Sequence, residues 1–282
     1  MGRRAAVSTL LLTAAILCPA AAGDRDYALA AIDRLGGRVE FDDQVRAPPA
    51  RLIYLTGARV TDQDLTLLAA LPEVKSLDLR GASITDAGLR HLGPLTRLES
   101  LYLWETPITD TGLIHLKRLR SLEGLNLSDT NVTDRGLVHV GQMTKLDMLR
   151  LDGTKVTDAG LARLKGLRDL WVLGLERTAV TDAGLAEIAG FAKLDCLDLA
   201  ESGVTDAGLK HLAGLKKLTR LGLAGTAVTD DGLRALHTLK RLEWITLAGT
   251  KVTSDGRKAL LEAIPGLEIE DTPTGRRPRR GR

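Results

Sequence analysis

The stretch that decides the fold of this chain spans residues 98–119 and reads LESLYLWETPITDTGLIHLKRL. Its central element, a valine or isoleucine followed by Thr-Asp, occurs eight times, first at Val60 and last at Val228, at a constant spacing of 24 residues. A ninth copy at Val252 keeps the spacing but has Ser254 in place of the aspartate. A fixed period of this length predicts a solenoid, in which each repeat forms one coil that packs against its neighbours.

Each repeat contains two hydrophobic periods. The pattern L-x-x-L-x-L, as in residues 98–103, alternates with period two and predicts a strand. The pattern G-L-x-x-L-x-x-L, as in residues 112–119, repeats every three residues and predicts a short helical turn. The sequence therefore predicts an α/β leucine-rich-repeat solenoid, with a curved parallel sheet on the concave face and short helices on the convex face.

Residues 50–272 resemble the 24-residue leucine-rich repeats of large families of bacterial proteins that carry export signals. The T-D-x-G-L unit is also similar to the cysteine-containing repeat subclass of eukaryotic F-box proteins, but threonine stands where that subclass has its consensus cysteine. This difference speaks against a ubiquitin-ligase adaptor. The wider resemblance implies protein recognition through the concave face.

Residues 1–22 have the pattern of a secretory signal peptide. Arg3 and Arg4 precede an apolar stretch that begins at Ala5, and small residues lie just before Gly23. We expect cleavage after Ala22 and export to the periplasm, the cell envelope or the medium. Two alternatives stay open, namely an uncleaved membrane anchor and a lipoprotein modified at Cys18.

The mature chain divides into an N-terminal cap (23–49), the solenoid (50–272) and an arginine-rich tail (273–282). In the cap, residues 27–35 predict an amphipathic helix and residues 38–41 a strand, which together would cover the edge of the first coil. The tail has no apolar residue, so we predict that it is disordered. We expect a monomer without a transmembrane segment.

The charge and the cysteine content argue against a nucleic-acid-binding surface and against a disulfide-linked fold. The net charge of +3 includes seven arginines in the leader and tail. Without them, 32 basic residues face 36 acidic ones, so the repeat body is mildly acidic and does not suit a nucleic-acid surface. Once the leader is removed, Cys196 is the only cysteine, which excludes an intramolecular disulfide.

Two threonine positions have predicted structural roles. The threonine of Thr-Asp should cap the helix that follows, and the aspartate should interact favourably with the helix dipole. We expect a second set of hydroxyls to form a ladder between coils that satisfies backbone groups after each strand. These residues are Thr106, Thr130, Thr154, Thr178, Ser202, Thr226 and Thr250.

Alternate strand residues should face the concave side in two ladders. The first ladder is Tyr54, Asp78, Tyr102, Asn126, Arg150, Gly174, Asp198, Gly222 and Thr246. The second is Thr56, Arg80, Trp104, Ser128, Asp152, Glu176, Ala200, Ala224 and Ala248. Toward the C-terminus the sheet is bare, apart from Arg220 and Trp244.

The chemically richest part of this face is the candidate binding site, called the concave patch below. It consists of Tyr102, Trp104, Asn126, Met148, Arg150, Asp152 and Glu176. Exposed Trp, Tyr and Arg are enriched in interface hot spots. The alternative is that Tyr102 and Trp104 only cover their own coil.

We find no nucleophile elbow, phosphate-binding loop or zinc-protease motif, and we expect no catalytic residue and no cofactor. His91, His115, His139 and His211 share one repeat position on the convex face, where we expect solvated histidines rather than metal ligands. The predicted function is an exported, non-catalytic module that binds another protein or a cell-surface polymer. The alternative is a structural or polyanion-associated envelope protein attached by its basic tail.

Overall fold

A computed structural model describes residues 25–42, 50–57 and 59–271. The predicted signal peptide and arginine-rich tail lie outside the described residues, as do residues 43–49 of the cap. In the described part, no helix is both long enough and apolar enough to cross a membrane.

The described residues form one 11-stranded sheet whose strands follow each other in chain order. The strands are β1 (Arg38–Phe41), β2 (Ala50–Tyr54), β3 (Ser76–Asp78), β4 (Ser100–Tyr102), β5 (Gly124–Asn126), β6 (Met148–Arg150), β7 (Val172–Gly174), β8 (Cys196–Asp198), β9 (Arg220–Gly222), β10 (Trp244–Thr246) and β11 (Glu268–Glu270). Strands β2 to β11 are parallel, and β1 pairs antiparallel with β2.

The first helix precedes β1, and short helices connect the later strands on the convex side. The α-helices are α1 (Arg25–Arg34), α2 (Asp86–Leu89), α3 (Asp110–Leu113), α4 (Leu137–Val140), α5 (Asp158–Leu161), α6 (Asp182–Ile188), α7 (Asp206–Leu212), α8 (Asp230–Leu236) and α9 (Ser254–Ala263). Segments of 3-10 helix occupy Asp64–Ala70, Arg90–Leu92, Ile114–Arg118 and Ala162–Leu164. The predicted leucine-rich-repeat solenoid is confirmed.

The core is a continuous stack of aliphatic side chains between the sheet and the helices. In one coil, Leu101, Leu103, Ile108, Leu113 and Leu116 all have 0% relative exposure. Full burial of a side chain of this size contributes about 1.5–3 kcal/mol. Because each coil covers the next, the leucine positions of the repeat fix which strand residues face outward.

The predicted cap helix and cap strand are both present. In α1, Ala28 and Ile32 are fully buried against the first coil. The helix is followed by Gly36, whose φ of +78° reverses the chain direction into β1. Strand β1 then pairs with β2 and covers the edge of the parallel sheet.

The Thr-Asp unit caps its own helix, as predicted, at α2, α3 and α5 to α8, and it also joins neighbouring coils. Within residues 59–271, no side chain caps the 3-10 helix Asp64–Ala70 or α4. The Thr109 hydroxyl accepts a hydrogen bond from the backbone N–H of Thr111 at the start of α3. The carboxylate of Asp86, one coil earlier, accepts the backbone N–H of Thr109 at 2.8 Å and also accepts its hydroxyl proton. The sequence did not predict this link, which recurs at every Thr-Asp unit from Asp62 onward.

Of the described coils, the first has no aspartate in a preceding coil to bond its threonine, so an acid of the same coil takes that role. There, Asp64 of the same coil accepts both the backbone N–H of Thr61 at 2.8 Å and its hydroxyl proton at 2.7 Å. The link between coils also explains why each later Thr-Asp pair is followed, two residues on, by a glycine. A Cβ on Gly112 would overlap Oδ1 of Asp86, so only glycine leaves room for the acid of the preceding coil.

The predicted hydroxyl ladder between coils is wrong in its partners. The Thr106 hydroxyl donates at 2.6 Å to the carbonyl of Leu103 in its own coil, and the other six members of the set bond three residues back in the same way. The reason is that the chain turns sharply after each strand, which brings the hydroxyl onto its own strand before it can reach the next coil. The hydroxyls do satisfy buried carbonyls, as expected.

Candidate functional site

The structure has the strand register from which the two ladders were predicted. Tyr102 of β4 pairs with Asn126 of β5, and Asn126 pairs with Arg150 of β6. Their neighbours Leu101, Leu125 and Leu149 point into the core and have no exposed surface. All seven residues of the concave patch therefore lie on coils that follow each other directly, with adjacent strands about 4.8 Å apart.

Asp152 organises the centre of the concave patch. Its side chain is only 5% exposed. It accepts hydrogen bonds from Nε of Arg150 at 2.7 Å, from the Ser128 hydroxyl at 3.1 Å and from the backbone N–H of Glu176 at 3.0 Å. Three donors from three coils thus converge on one carboxylate, and the Arg150 guanidinium is held against the sheet.

The charges around Asp152 do not balance. Burial raises the pKa of Glu176, and the nearby carboxylate of Asp152 raises it further. Burial, with repulsion from Asp152 and Glu176, raises the pKa of Asp198 from 3.8 to about 6. Burial alone would lower the pKa of Arg150, but Asp152 raises it above its ordinary value. The three carboxylates at the centre of the concave face therefore outnumber the two arginines, Arg150 and Arg177, that pair with them.

Asp198 was placed on the first ladder by the sequence but not in the candidate site. Only Gly174 separates it from Arg150 along that ladder. Because glycine has no side chain, Asp198 lies within electrostatic reach of Arg150 and Asp152. In the sequence, the glycine between these two charged ladder positions is the feature that could have indicated that Asp198 and Arg150 lie close together.

Trp104 is half-buried, and its indole is fixed by a hydrogen bond. Its Nε1–H donates at 2.8 Å to Oδ2 of Asp129 in the next coil. Asp129 in turn accepts from Nη2 of Arg177 at 3.1 Å. Neither Asp129 nor Arg177 was predicted as part of the site, because both lie one residue beyond the second ladder.

The other members of the concave patch make local contacts. Oδ1 of Asn126 accepts the backbone N–H of Ser128 at 2.9 Å. The Met148 methyl lies 3.0 Å from the point that a Cβ of Gly124 would occupy, so Met148 covers that glycine. Tyr102 is half-buried. Together with Trp104, these three residues form the part of the patch that has no charge.

The C-terminal part of the sheet differs from its prediction at Trp244. This residue is 6% exposed, and its Nε1–H donates to Glu270 at 2.9 Å. Trp244 therefore packs into the last coils because the neighbouring strand β11 covers it. Arg220 is exposed as predicted and lies 3.6 Å from Asp195.

A second groove, which the sequence reasoning did not identify, lies beside the sheet where β6 to β8 begin. Trp171, which is 45% exposed, is one of its lining residues. Its walls include Asp147, Asp169 and Lys193, and the last two form an ion pair at 2.6 Å. Acidic and basic side chains occur in this groove in equal numbers, so it carries no net charge.

Among the residues that the structure describes, no arrangement of side chains supports metal or thiol chemistry. No group of three or more His, Cys, Asp or Glu residues among them is arranged to hold a metal ion. Cys196 is half-buried, and its burial raises the pKa of its thiol, which makes it a poor nucleophile.

Comparison with known proteins finds similarity in three of the repeats and in the overall fold. A family model described as Leucine Rich repeat matches residues 72–93, 118–140 and 214–236. Curated proteins gave no significant match. Among solved structures, internalin C2 (inlC2) of Listeria monocytogenes superposes with a TM-score of 0.61 at 23% identity, covering 80% of this chain and 93% of the internalin. Internalin inlF of the same species gives a TM-score of 0.56 at 18% identity, with 87% and 88% covered.

These likenesses concern the fold, and they agree with the 24-residue period, the 11-stranded sheet and the convex helices. The chain therefore has the fold of a leucine-rich-repeat solenoid, and three of its repeats match the Leucine Rich repeat family model.

Proposed function

We propose that this protein is an exported, non-catalytic module that recognises another protein through the concave patch. The observation that carries the proposal is the grouping of Trp104, Arg150 and Asp152 on a rigid sheet, each held by hydrogen bonds that are already formed. A surface that is fixed before binding loses little conformational entropy on association. Aromatic and arginine anchors are the residues on which such interfaces depend most.

The charge of the site indicates what kind of partner it suits. Asp152, Glu176 and Asp198 surround Arg150, and Arg150 is already paired with Asp152. Burial is the main cause of the raised pKa values of Glu176 and Asp198, and a lysine or arginine from the partner would offset the further contribution that carboxylate repulsion makes. We therefore infer a partner with a basic segment.

The distances favour a macromolecular partner. Trp104 lies on the coil of β4 and Arg150 on β6, two strands away, which corresponds to roughly 10 Å along the sheet. A peptide, a loop or a larger surface can contact both, whereas a very small ligand would contact only one. Export is supported by the leader pattern of residues 1–22.

The experiment is affinity capture from the extracytoplasmic fraction of the native host, with purified chain as bait. The parent is compared with the double variant Trp104→Ala/Arg150→Ala and with His115→Ala, which changes the convex face. We expect the parent and His115→Ala to retain the same protein and the double variant to lose it. Retention should weaken as salt is raised, because charge pairing is screened. Equal capture by all three baits would contradict a concave site.

A further inference from the structure

A ridge of left-handed backbone runs along the concave face, one residue beyond the second ladder. In five coils the ridge residue is glycine, at Gly57, Gly81, Gly153, Gly225 and Gly249. In four coils it is not, and Glu105, Asp129, Arg177 and Glu201 adopt φ values of 57°, 53°, 52° and 53°. The left-handed conformation is unfavourable for an L-residue, because its Cβ lies too close to the backbone. A side chain kept at such a position, where glycine fits other coils, points to a role for that side chain.

Asp129 and Arg177 contact each other across an intervening coil. Nη2 of Arg177 lies 3.1 Å from Oδ1 and 3.3 Å from Oδ2 of Asp129. The ridge residue between them is Gly153, where a Cβ would overlap Oδ1 of Asp129 and lie 3.4 Å from Nη2 of Arg177. The glycine therefore clears the path along which the two side chains meet.

The same carboxylate holds the indole of Trp104. Oδ2 of Asp129 accepts the indole N–H at 2.8 Å, while the guanidinium of Arg177 engages both carboxylate oxygens. Nε of Arg177 also lies 3.5 Å from Glu176, a member of the concave patch. One chain of contacts thus joins the aromatic end of the patch to its acidic end.

We propose that Asp129 is a positioning residue of the concave binding site: held by Arg177, it fixes the indole of Trp104 in the orientation that the protein partner contacts. This inference rests on the proposed function and extends the site onto the ridge. It also explains why the left-handed strain at Asp129 is kept, since glycine at this position would lose the acceptor that orients Trp104.

Two matched variants separate positioning from strain. Asp129→Gly and Glu201→Gly each replace a non-glycine ridge residue that has a φ of 53°. Of these two residues, Asp129 is the one whose carboxylate accepts the indole N–H of Trp104. A third variant, Asp129→Asn, keeps a side-chain oxygen acceptor and a residue that tolerates the left-handed region.

The first readout needs no partner. Hydrogen exchange of the Trp104 indole N–H is measured by nitrogen-15 NMR in the full chain, with the indoles of Trp171 and Trp244 as internal references. We expect exchange at Trp104 to accelerate roughly tenfold or more in Asp129→Gly, because a protecting hydrogen bond is lost. Exchange should remain near the parent rate in Glu201→Gly and Asp129→Asn. An unchanged exchange rate of the Trp104 indole N–H in Asp129→Gly overturns the proposal.

The second readout is the affinity of these variants for the protein captured by the parent bait. We expect a loss of about tenfold in Asp129→Gly, with recovery in Asp129→Asn and no loss in Glu201→Gly. If Trp104→Ala weakens binding but Asp129→Gly does not, the positioning role is wrong and the proposed function stands. If Trp104→Ala binds like the parent, the proposed function fails, and so does this role for Asp129 in binding.

Discussion

The carboxylate of Asp158 accepts both the backbone N–H of Thr181, at 2.8 Å, and the hydroxyl proton of the same residue, at 2.6 Å. Thr181 simultaneously accepts the backbone N–H of Ala183 and so caps α6. One acid therefore fixes the start of the helix in the next coil. Gly184 lies directly over this link, and a Cβ there would overlap Oδ1 of Asp158.

This geometry predicts that Gly184→Ala destabilises the fold. Alanine is the better helix former by about 1 kcal/mol, so helix propensity alone predicts the opposite sign. We expect a net loss of about 1–3 kcal/mol, because the new methyl group displaces the Asp158 carboxylate. Urea unfolding measures the effect, and the Asp158→Ala background supplies the control. In that background the cost of Gly184→Ala should fall or reverse, whereas strictly additive effects would show that the two residues do not interact.

A charge in the core should unfold several coils together. Leu149 is fully buried in the middle of the array, so Leu149→Asp places an unpaired carboxylate there and should cost more than about 4 kcal/mol. Lys117→Ala, an exposed convex change, should shift the thermal midpoint little. Lys165 is unsuitable as this control, because it pairs with Glu187 at 2.6 Å. Similar midpoints for Leu149→Asp and Lys117→Ala would mean that the strand register is wrong.

Asp198 should make stability depend on pH. Its folded pKa of about 6 lies above the ordinary value of 3.8, so the fold favours the protonated form. The stability that Asp198 contributes is complete below about pH 4 and is lost as the pH rises through 6. Asp198→Asn should therefore gain about 1–3 kcal/mol over the parent at pH 8 and nothing at pH 4.

Asparagine fits this position. Oδ1 of Asp198 accepts the backbone N–H of Ala200, and on the same ladder Oδ1 of Asn126 accepts the equivalent backbone N–H of Ser128. Thermal unfolding at the two pH values checks the prediction, with the exposed Asp33→Asn as control. A gain for Asp198→Asn that is the same at pH 4 and pH 8 would rule out titration of Asp198 as its cause.

Partner binding should depend on single residues of the concave patch. We expect Trp104→Ala and Arg150→Ala each to weaken binding by roughly 1–4 kcal/mol, the range for aromatic and arginine anchors. Part of the Arg150 effect arises because Asp152 is left buried without its cation. Calorimetric titration of the captured partner measures both losses, and His115→Ala should bind like the parent. The reverse pattern would place the interface on the convex side.

The leader should be absent from the mature protein. We expect the chain isolated from the native host to begin at Gly23, because small residues lie just before it. Mass spectrometry of the N-terminal peptide checks this expectation. Material that still begins at Met1 or Gly2 would favour the uncleaved anchor.

The sequence predicted the fold because two hydrophobic periods fix the direction of every strand residue. Leu101 and Leu103 had to be buried, and Tyr102 between them had to face outward. Periodicity does not distinguish a bond within a coil from a bond between coils, since every coil carries the same residues. It therefore did not reveal that Asp86 bonds the next coil, and it assigned Thr106 to a neighbouring coil instead of its own.

The site was only partly predictable for a different reason. The ladders placed Trp104 and Arg150 correctly, because their positions depend on strand register alone. Asp129 and Arg177 lie in the turn after the strand, where the sign of φ decides the direction of the side chain. Most coils have glycine at that position, so the repeat consensus did not indicate a functional role.

The Asp-to-Thr links also determine how such an array can change in length. Each coil presents a threonine toward the preceding coil and an aspartate toward the following one, so any coil fits behind any other. Duplication or deletion of one 24-residue unit between Thr61 and Asp230 leaves every remaining link complete. We therefore expect the Asp-to-Thr links to tolerate changes in coil number, whereas the proposed binding site would be altered by them. Removing the coil of Asn126 would bring Arg150 one strand closer to Trp104 and would delete Asp129, so we expect such a deletion to weaken binding of the proposed partner.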